Sequence, residues 1–550
     1  MGRGETMRTD RLAPHTRAMA EALARAPSRG GWLHLPGLPV DYRVPARPGP
    51  APFGTAGRDR PALASLVATA ARLAARIAYA DAARDLRFDE VAPAAARLAG
   101  RIRAAGGEGP VGLLLPFDIG APVALLACLA AGRPSVLLDA GHGAERNAAF
   151  LARAGARLAV GPGAAVPPGL PCIPIEAAFD TTAAPPLGDG PGLDEAAFIL
   201  CTSGSTGEPK MVAYSQRGIL QQLRMLLDGM RAGEGDRCLL LIPPATVAGL
   251  ITLLMPLHGC AVDLLALTER GIAGLRARLR THPPSILRAG PSLLRTIAAL
   301  PDAAAMMAGL RAVRVSGEPL LLADLELLAR CLPADCPVFN RYGSTELIGT
   351  SWIPRLDDGH DPVRTAAGLP DAEVEVKLVD EAGDACPPDT PGELWMRGRY
   401  AALGEWTAEG LVPGRLERDP DDPSLRVYRT GDLARLTPDG VLVVLGRLDR
   451  MVKVNGHRVE LAEVETALRR SPEVRQAAVV ARETAGRVTL RAFVVSAPDA
   501  PPGIELRLRQ ALRATLPAYM QPARIEVLDA LPLLPGGKLD ERALLERGDG

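Results

Sequence analysis

At 550 residues the chain is too long for a single hydrophobic core and is expected to divide into at least two domains. Lys plus Arg and Asp plus Glu each number 63, so the net charge is zero, which removes any electrostatic case for nucleic acid or a membrane as the general partner. A hydrophobic content of 47% with 23% charge is that of a soluble globular protein, and 3% aromatics beside heavy use of Ala, Gly, Pro and Arg reads as coding bias.

Residues 1–60, rich in Pro, Arg and Gly, are expected to form an irregular extension, with Trp32 to Val40 as the stretch able to dock. The opening Met1-Gly-Arg-Gly-Glu-Thr6 formally fits a myristoylation pattern, read as coincidence in so biased a sequence. No apolar run follows it, so no signal peptide is expected and a cytoplasmic location is. From Leu86 an αβ rhythm begins: helix 91–105, strand 111–115, helix 121–131, strand 135–139, helix 144–154 and strand 157–160. Short apolar strands alternating with helices predict a parallel sheet covered on both faces. The most apolar region, 111–139, is broken by Pro116, Asp118, Pro122, Arg133 and Pro134, so it is a core strand–helix–strand and not a membrane span.

The segment 161–191 reads as a connection. Phe198-Ile-Leu-Cys201 then reads as a buried strand emptying into Thr202-Ser203-Gly204-Ser205-Thr206-Gly207, with Lys210 behind it. Two glycines let backbone N–H groups approach an anion, and the hydroxyls and Lys210 add donors and positive charge, so the loop reads as a phosphate cradle. It lacks the Gly-x-x-x-x-Gly-Lys-Ser/Thr spacing of a P-loop. Helix 216–231 follows, then strands 237–242, 285–287, 312–315 and 337–339 with helices between them. From about Ala372 the period shifts towards two, predicting antiparallel strands at 373–379, 392–397 and 441–445. After a break at Gly446-Arg-Leu-Asp449-Arg comes an α+β tail: helix 461–470, strands 476–481 and 489–495, and helix 504–516. No internal repeat is present. Eight scattered Cys without a Cys-x-x-Cys, and seven isolated His, give no metal-ligand spacing and read as reduced thiols.

Five further stretches line up behind the hydroxyl–glycine loop: Asn340-Arg-Tyr-Gly-Ser-Thr-Glu346, Gly392-Glu-Leu-Trp-Met-Arg-Gly398, Tyr428-Arg-Thr-Gly-Asp432, Gly446-Arg-Leu-Asp-Arg-Met-Val-Lys-Val-Asn-Gly-His-Arg-Val-Glu460 and Leu531-Pro-Leu-Leu-Pro-Gly-Gly-Lys538. Over residues 70 to 545 this ordered set resembles the adenylate-forming (AMP-binding) superfamily of acyl-CoA synthetases, peptide-synthetase adenylation domains and luciferases. Val452-Lys-Val-Asn-Gly-His-Arg-Val-Glu460 and Leu516-Pro-Ala-Tyr-Met-Gln-Pro522 are closest to the stand-alone or peptide-synthetase branch. The resemblance implies an α/β fold: a large N-terminal domain of parallel-sheet layers with a β-rich subdomain at 61–448, then a small mobile α+β domain at 449–550.

It also implies ATP and Mg²⁺ as cofactors, and a role for each matching residue. Thr202, Ser203, Gly204, Ser205, Thr206, Gly207 and Lys210 would hold the β- and γ-phosphates. Tyr342, beside Gly343, would stack on adenine, with Asn340 and the Gly317–Glu318 turn at its edge. Thr345 would touch the α-phosphate and Glu346 would hold Mg²⁺. Asp432 would accept the ribose hydroxyls with Arg447 in support, and Lys538 would bridge the substrate carboxylate and the ribose–phosphate oxygens. In the second half-reaction the C-terminal domain would swing about Asp449, withdraw Lys538 and bring in the strand at Lys453 to Gly456, with Gly456 lining the route of a phosphopantetheine arm. Leu534 stands where a hydroxyl residue is common four positions before the final lysine. No carrier motif follows Lys538, so a carrier acceptor is expected on a separate chain.

The acid-binding positions depart from the family. α-Amino-acid enzymes carry an Asp where this chain has Thr246, and threonine cannot neutralise an ammonium group. The other positions carried over are Val247, Leu250, Arg288, Arg314, Ser316, Arg341, Gly349 and Thr350. Three arginines at positions usually small or apolar point to a substrate with a second strong anion, because planar guanidinium forks suit carboxylate or phosphate. A register slipped by one residue would instead turn them outward. The leading expectation is acyl-adenylate formation followed by transfer to a carrier phosphopantetheine. An acid–CoA ligase is the alternative, and a non-catalytic nucleotide-binding homologue the second. An amine acceptor has no residue arguing for it.

Overall fold

Strands buried along their whole length need cover on both faces, and Val111–Leu115, with all five residues buried, is such a strand. Helix Gly120–Ala130 behind it is buried on every side. The computed structural model describes residues 32–34, 59–141, 144–203, 209–362, 364–371, 373–438, 440–454, 457–484, 487–517, 520–534 and 539–547. These fall into two compact units, a first of Met1–Lys377, Trp395–Thr430 and Leu436–Val443, and a second of Leu378–Leu394, Gly431–Arg435 and Val444–Gly550.

The first unit carries two large mixed sheets. The eight-stranded sheet runs Gly410–Val412, Gly404–Thr407, Pro209–Ser215, Ala196–Ser203, Ser135–Asp139, Val111–Leu115, Ala159–Gly161 and Cys172–Pro174. Its last five strands are parallel. We label Ala196–Ser203 β1 and Pro209–Ser215 β2; they form an antiparallel pair. Helix Ala144–Ala154 covers one face of this sheet through Phe150, Leu151 and Ala154 against Val136, Leu138, Ile199 and Ala213.

The nine-stranded sheet runs Leu369–Pro370, β6 (Ile348–Trp352), β5 (Val338–Gly343), β4 (Ala312–Ser316), β3 (Ile286–Ala289), Arg237–Leu240, Ala261–Leu264, Ile77–Ala80 and Asp85–Arg87. It is parallel from β5 to Ile77–Ala80 and antiparallel at both ends. Alternation along β3 and β4 sends Leu287, Ala289, Val313 and Val315 into one apolar core with the helical residues Leu275, Leu294, Ile297 and Leu325. Arg288, Arg314 and Ser316 therefore face the other side. A third sheet orders Leu33–His34, Val374–Val379, Gly392–Gly398, Arg426–Leu436 and Leu416–Arg418, with Leu442–Arg447 beside Arg426–Leu436. The buried–intermediate alternation of Val374–Val379 and Gly392–Gly398 is the period of two read from the sequence.

In the second unit, helices Leu461–Arg469 and Ile504–Thr515 pack on strands Val474–Thr484, Arg487–Ser496 and Arg524–Val527 through Val464, Leu468, Val479, Val494, Leu508 and Leu512. The fold is thus α/β, with a large parallel-sheet part and a smaller α+β part, as expected.

Several local expectations need correction. The αβ rhythm starts before Leu86, with helix Ala62–Leu73 and strands Ile77–Ala80 and Asp85–Arg87, whose short lengths give little periodicity. The connection at 161–191 contains strand Cys172–Pro174, three residues that follow Pro171, end in Pro174 and pair in parallel with Ala159–Gly161. From the extension, Leu33–His34 pairs antiparallel with Val376 and Glu375, and the Arg397 guanidinium lies 4.5 Å over the Trp32 ring. No helix among the described residues is long and apolar enough to cross a membrane.

Candidate functional site

The strands on either side of the hydroxyl–glycine loop form an antiparallel pair. Thr202 lies opposite Lys210 and Ser203 opposite Pro209 across β1 and β2, so the loop's ends are held about 4.8 Å apart, one strand spacing. A P-loop would instead enter a helix. Gly204, Ser205, Thr206 and Gly207 lie outside the described residues, as do the side chains of Thr202 and Ser203. Lys210 Nζ stands 3.8 Å from Glu405 Oε1, with both side chains partly exposed.

Four residues further along β2, Tyr214 is fully buried and its hydroxyl donates to the Thr345 carbonyl at 2.8 Å. Burial pushes its phenol up. Ser344 Oγ accepts from the Glu346 and Leu347 amides at 3.1 and 3.2 Å, and the Ala402 amide donates to the Glu346 carbonyl at 2.9 Å. Tyr428 is buried beside Ser344 and Glu346; burial, then the Glu346 charge, raises its phenol. The Ser-Thr-Glu turn is thus clamped by two tyrosines from separate strands. Among the described residues no group of three or more His, Cys, Asp or Glu forms a metal cage. A lone half-buried carboxylate such as Glu346 fits magnesium arriving on phosphates, which keeps most of its ligands outside the protein.

Asn340 spends its side-chain amide on Thr365 Oγ1 (3.0 Å) and the Ala366 carbonyl (2.8 Å), which fixes the segment beside β5. Tyr342 pairs with Thr350 on β6. Gly317 has φ +92°, a left-handed turn that leads to Glu318, which accepts from the Ser292 hydroxyl. Gly343 is exposed, while Thr345 and Glu346 are partly so.

In the second unit, Arg447 Nη1 donates to Asp432 Oδ1 at 3.1 Å. The preceding Gly431 has φ +70°, and a Cβ there would meet Arg447 Nη2 at 3.3 Å. A 3-10 turn, Leu448–Arg450, carries the backbone of Asp449; the side chains of Asp449 and Lys453 and all of Gly456 and Lys538 lie outside the described residues. Arg450 reaches Glu465 at 2.8 Å, the Val479 carbonyl at 3.0 Å and Glu541 at 2.9 Å.

For the acid-binding set, Thr246 is the N-cap of α1 (Val247–Leu253): its Oγ1 accepts from the Gly249 amide at 3.0 Å and donates to the Pro243 carbonyl at 2.9 Å. Val247 is partly buried and Leu250 fully so. Arg288, Arg314 and Arg341 share one face, with Arg288 opposite Arg314 and Ser316 opposite Arg341. All three arginines are buried, so they are not turned outward to solvent. Arg341 pairs with the buried Asp371 at 2.7 Å and donates to Ser351 Oγ at 3.1 Å. Arg288 Nη1 donates to the Ala248 carbonyl at 3.0 Å and to the Thr252 hydroxyl, both on α1. Gly349 backs onto Met396, whose Sδ would lie 2.7 Å from a Cβ, and Thr350 is fully buried on the Ala367 carbonyl. Sequence reasoning did not single out Tyr214, Tyr428, Asp371 or Thr252. Tyr428 opens one of the six motifs, but Asp371 lies 30 residues from Arg341 with no local signal.

The sequence matches the AMP-binding enzyme family over residues 66–406 and the AMP-binding enzyme C-terminal domain over 463–538. It is 34% identical to phosphinothricin tripeptide synthetase PhsC of Streptomyces viridochromogenes, over 98% of this chain and 50% of that protein. It is 36% identical to a dimodular nonribosomal peptide synthase of Bacillus subtilis, over 64% of this chain and 15% of the other. The chain thus spans half or less of the length of these relatives. Among solved structures, the anthranilate CoA ligase AuaEII in complex with anthranoyl-AMP shares the fold at TM-score 0.76 and 21% identity, covering 88% of this chain and 96% of that one. A benzoate CoA ligase from Burkholderia xenovorans does so at 0.75 and 24%, covering 88% and 100%. The chain belongs to the AMP-binding enzyme family of the adenylate-forming superfamily and is an ATP-dependent, AMP-forming ligase.

Proposed function

We propose that this ligase activates a carboxylic acid that is not an α-amino acid and that bears a second anionic group, then passes the acyl group to the phosphopantetheine thiol of a carrier protein. A carboxylate oxygen attacks the α-phosphorus of MgATP and the bond to pyrophosphate breaks; the thiol sulfur then attacks the acyl carbon and AMP leaves. Both partners of the first step are anions, so the protein's work is positioning and charge neutralisation.

The loop 202–207 with Lys210 would take the β- and γ-phosphates, and Thr345 and Glu346 the α-phosphate and the magnesium ion. Tyr342, Gly343, Asn340, Gly317 and Glu318 would border adenine, and Asp432 with Arg447 the ribose. Lys538 would neutralise charge at phosphorus, and Asp449, Lys453 and Gly456 would serve the thiol step. Support for a carrier acceptor comes from the likeness to a peptide synthetase over 98% of the chain. Cytoplasmic residence belongs to the same proposal.

The observation that carries the substrate reading is Thr246: its hydroxyl is engaged at both ends by helix capping and offers no charge to an ammonium group. Acyl transfer tests the acceptor. Holo-carrier protein should be loaded at least ten times faster than free CoA; equal or faster thioester formation with CoA overturns the carrier reading. Lys538→Ala should slow ATP–pyrophosphate exchange by about 10²–10³, equally for every acid accepted.

A further inference from the structure

Arg288 is 3% exposed, and all of its polar contacts are to neutral groups: Nη1 donates to the Ala248 carbonyl and to the Thr252 hydroxyl. Its Nε is buried and has no hydrogen-bond partner among the described residues. No carboxylate of the described residues pairs with it, whereas Arg341 on the same face is neutralised by Asp371. Burial, with the Arg341 charge adding to it, lowers the Arg288 pKa to about 10, which leaves the group charged at neutral pH. A guanidinium taken out of water without a counter-charge is costly, and its planar edge matches an oxyanion. The fold holds Arg288 in place nonetheless, with one edge fixed by α1 and the Nε side unused.

We propose that the Nε side of Arg288 binds the second oxyanion of the acid, a carboxylate or a phosphonate, and that the Ala248 carbonyl and the Thr252 hydroxyl are positioning groups that fix the guanidinium plane. This rests on the anionic-acid reading above and names Arg288 as the contact among the arginines of that face. Arg341 is assigned to Asp371 and takes no part in the contact.

The test is ATP–pyrophosphate exchange by the wild type, Arg288→Met and Arg288→Lys. The acids are matched sets of equal length ending in carboxylate, phosphonate or methyl, with neutral α-amino acids alongside. The wild type should favour an anionic tail by about 10²-fold in kcat/KM over methyl. Arg288→Met should abolish that preference, mainly through KM, and Arg288→Lys should restore part of it, because lysine keeps the charge but loses the fork. Whichever tail, carboxylate or phosphonate, gives the larger preference names the oxyanion. The melting temperature of ligand-free Arg288→Met should equal or exceed that of the wild type, and an anionic acid should raise it only in the wild type.

An anionic preference that survives in Arg288→Met refutes the assignment to Arg288 alone. A ligand-free Arg288→Met that melts several degrees lower gives the residue a structural role and also overturns it. Exchange confined to neutral α-amino acids refutes the anionic-acid reading itself.

Discussion

Arg288 and Arg491 are buried to the same degree, 3% exposed each, yet the molecule treats them differently. In the second unit Arg491 meets Glu526 at 3.5 Å, donates to the Arg547 carbonyl at 2.7 Å and lies 5.3 Å from the centre of the Phe493 ring. In the first unit Arg288 meets a carbonyl and a hydroxyl and carries no opposing charge. A buried arginine with a carboxylate is architecture, since its charge is balanced within the fold. One without is strained electrostatically until something anionic arrives. In a chain this rich in arginine, abundance says nothing about function; the counter-charge separates the two kinds.

That contrast can be broken or sharpened by mutation. Asp371→Ala leaves Arg341 buried beside Arg288 with its partner removed, and should destabilise the protein by about 3–5 kcal/mol in urea unfolding. A loss under 1 kcal/mol would mean that the Arg341–Asp371 pair is not balanced as described.

His258 probes a third cationic neighbourhood. Burial, then the charges of Arg224 and Arg60, lowers its pKa from 6.5 to about 4. The unfolded chain therefore binds a proton that the folded chain refuses between those values. Its stabilising contribution is full above pH 6.5 and is lost as pH falls towards 4, to the extent of about 2–3 kcal/mol. His258→Gln should flatten that part of the stability–pH profile; an unchanged slope would contradict it.

Glu526→Ala should cost less, about 1–2 kcal/mol, because Glu526 is partly solvated and Arg491 keeps its carbonyl contact. Arg288→Met should change stability least, by no more than about 1 kcal/mol, with a gain as the expected sign.

Much of the fold was legible because its signals are local. The strand–helix alternation from Val111 to Ala154 and the period-two strands Val374–Val379 and Gly392–Gly398 stand within a residue or two of their expected bounds. Strand Cys172–Pro174 was not legible, since three residues hold no period and the pairing that makes them a strand comes from Ala159–Gly161. The nucleotide side of the site announces itself in contiguous motifs, each holding several polar residues within a few positions. The clamp of Tyr214 and Tyr428 on the Ser-Thr-Glu turn does not, because its members come from strands more than 80 residues away on either side. Likewise, sequence spacing raised the three arginines together, but only packing shows that Arg341 has Asp371 while Arg288 has neutral neighbours.

The most direct measurement is ATP–pyrophosphate exchange by the wild-type protein across α-amino, aliphatic, aryl, dicarboxylic and phosphonate acids. The expected result is magnesium-dependent exchange that is strongest with acids bearing a second anion and absent with neutral α-amino acids. Exchange strongest with a neutral α-amino acid would contradict it.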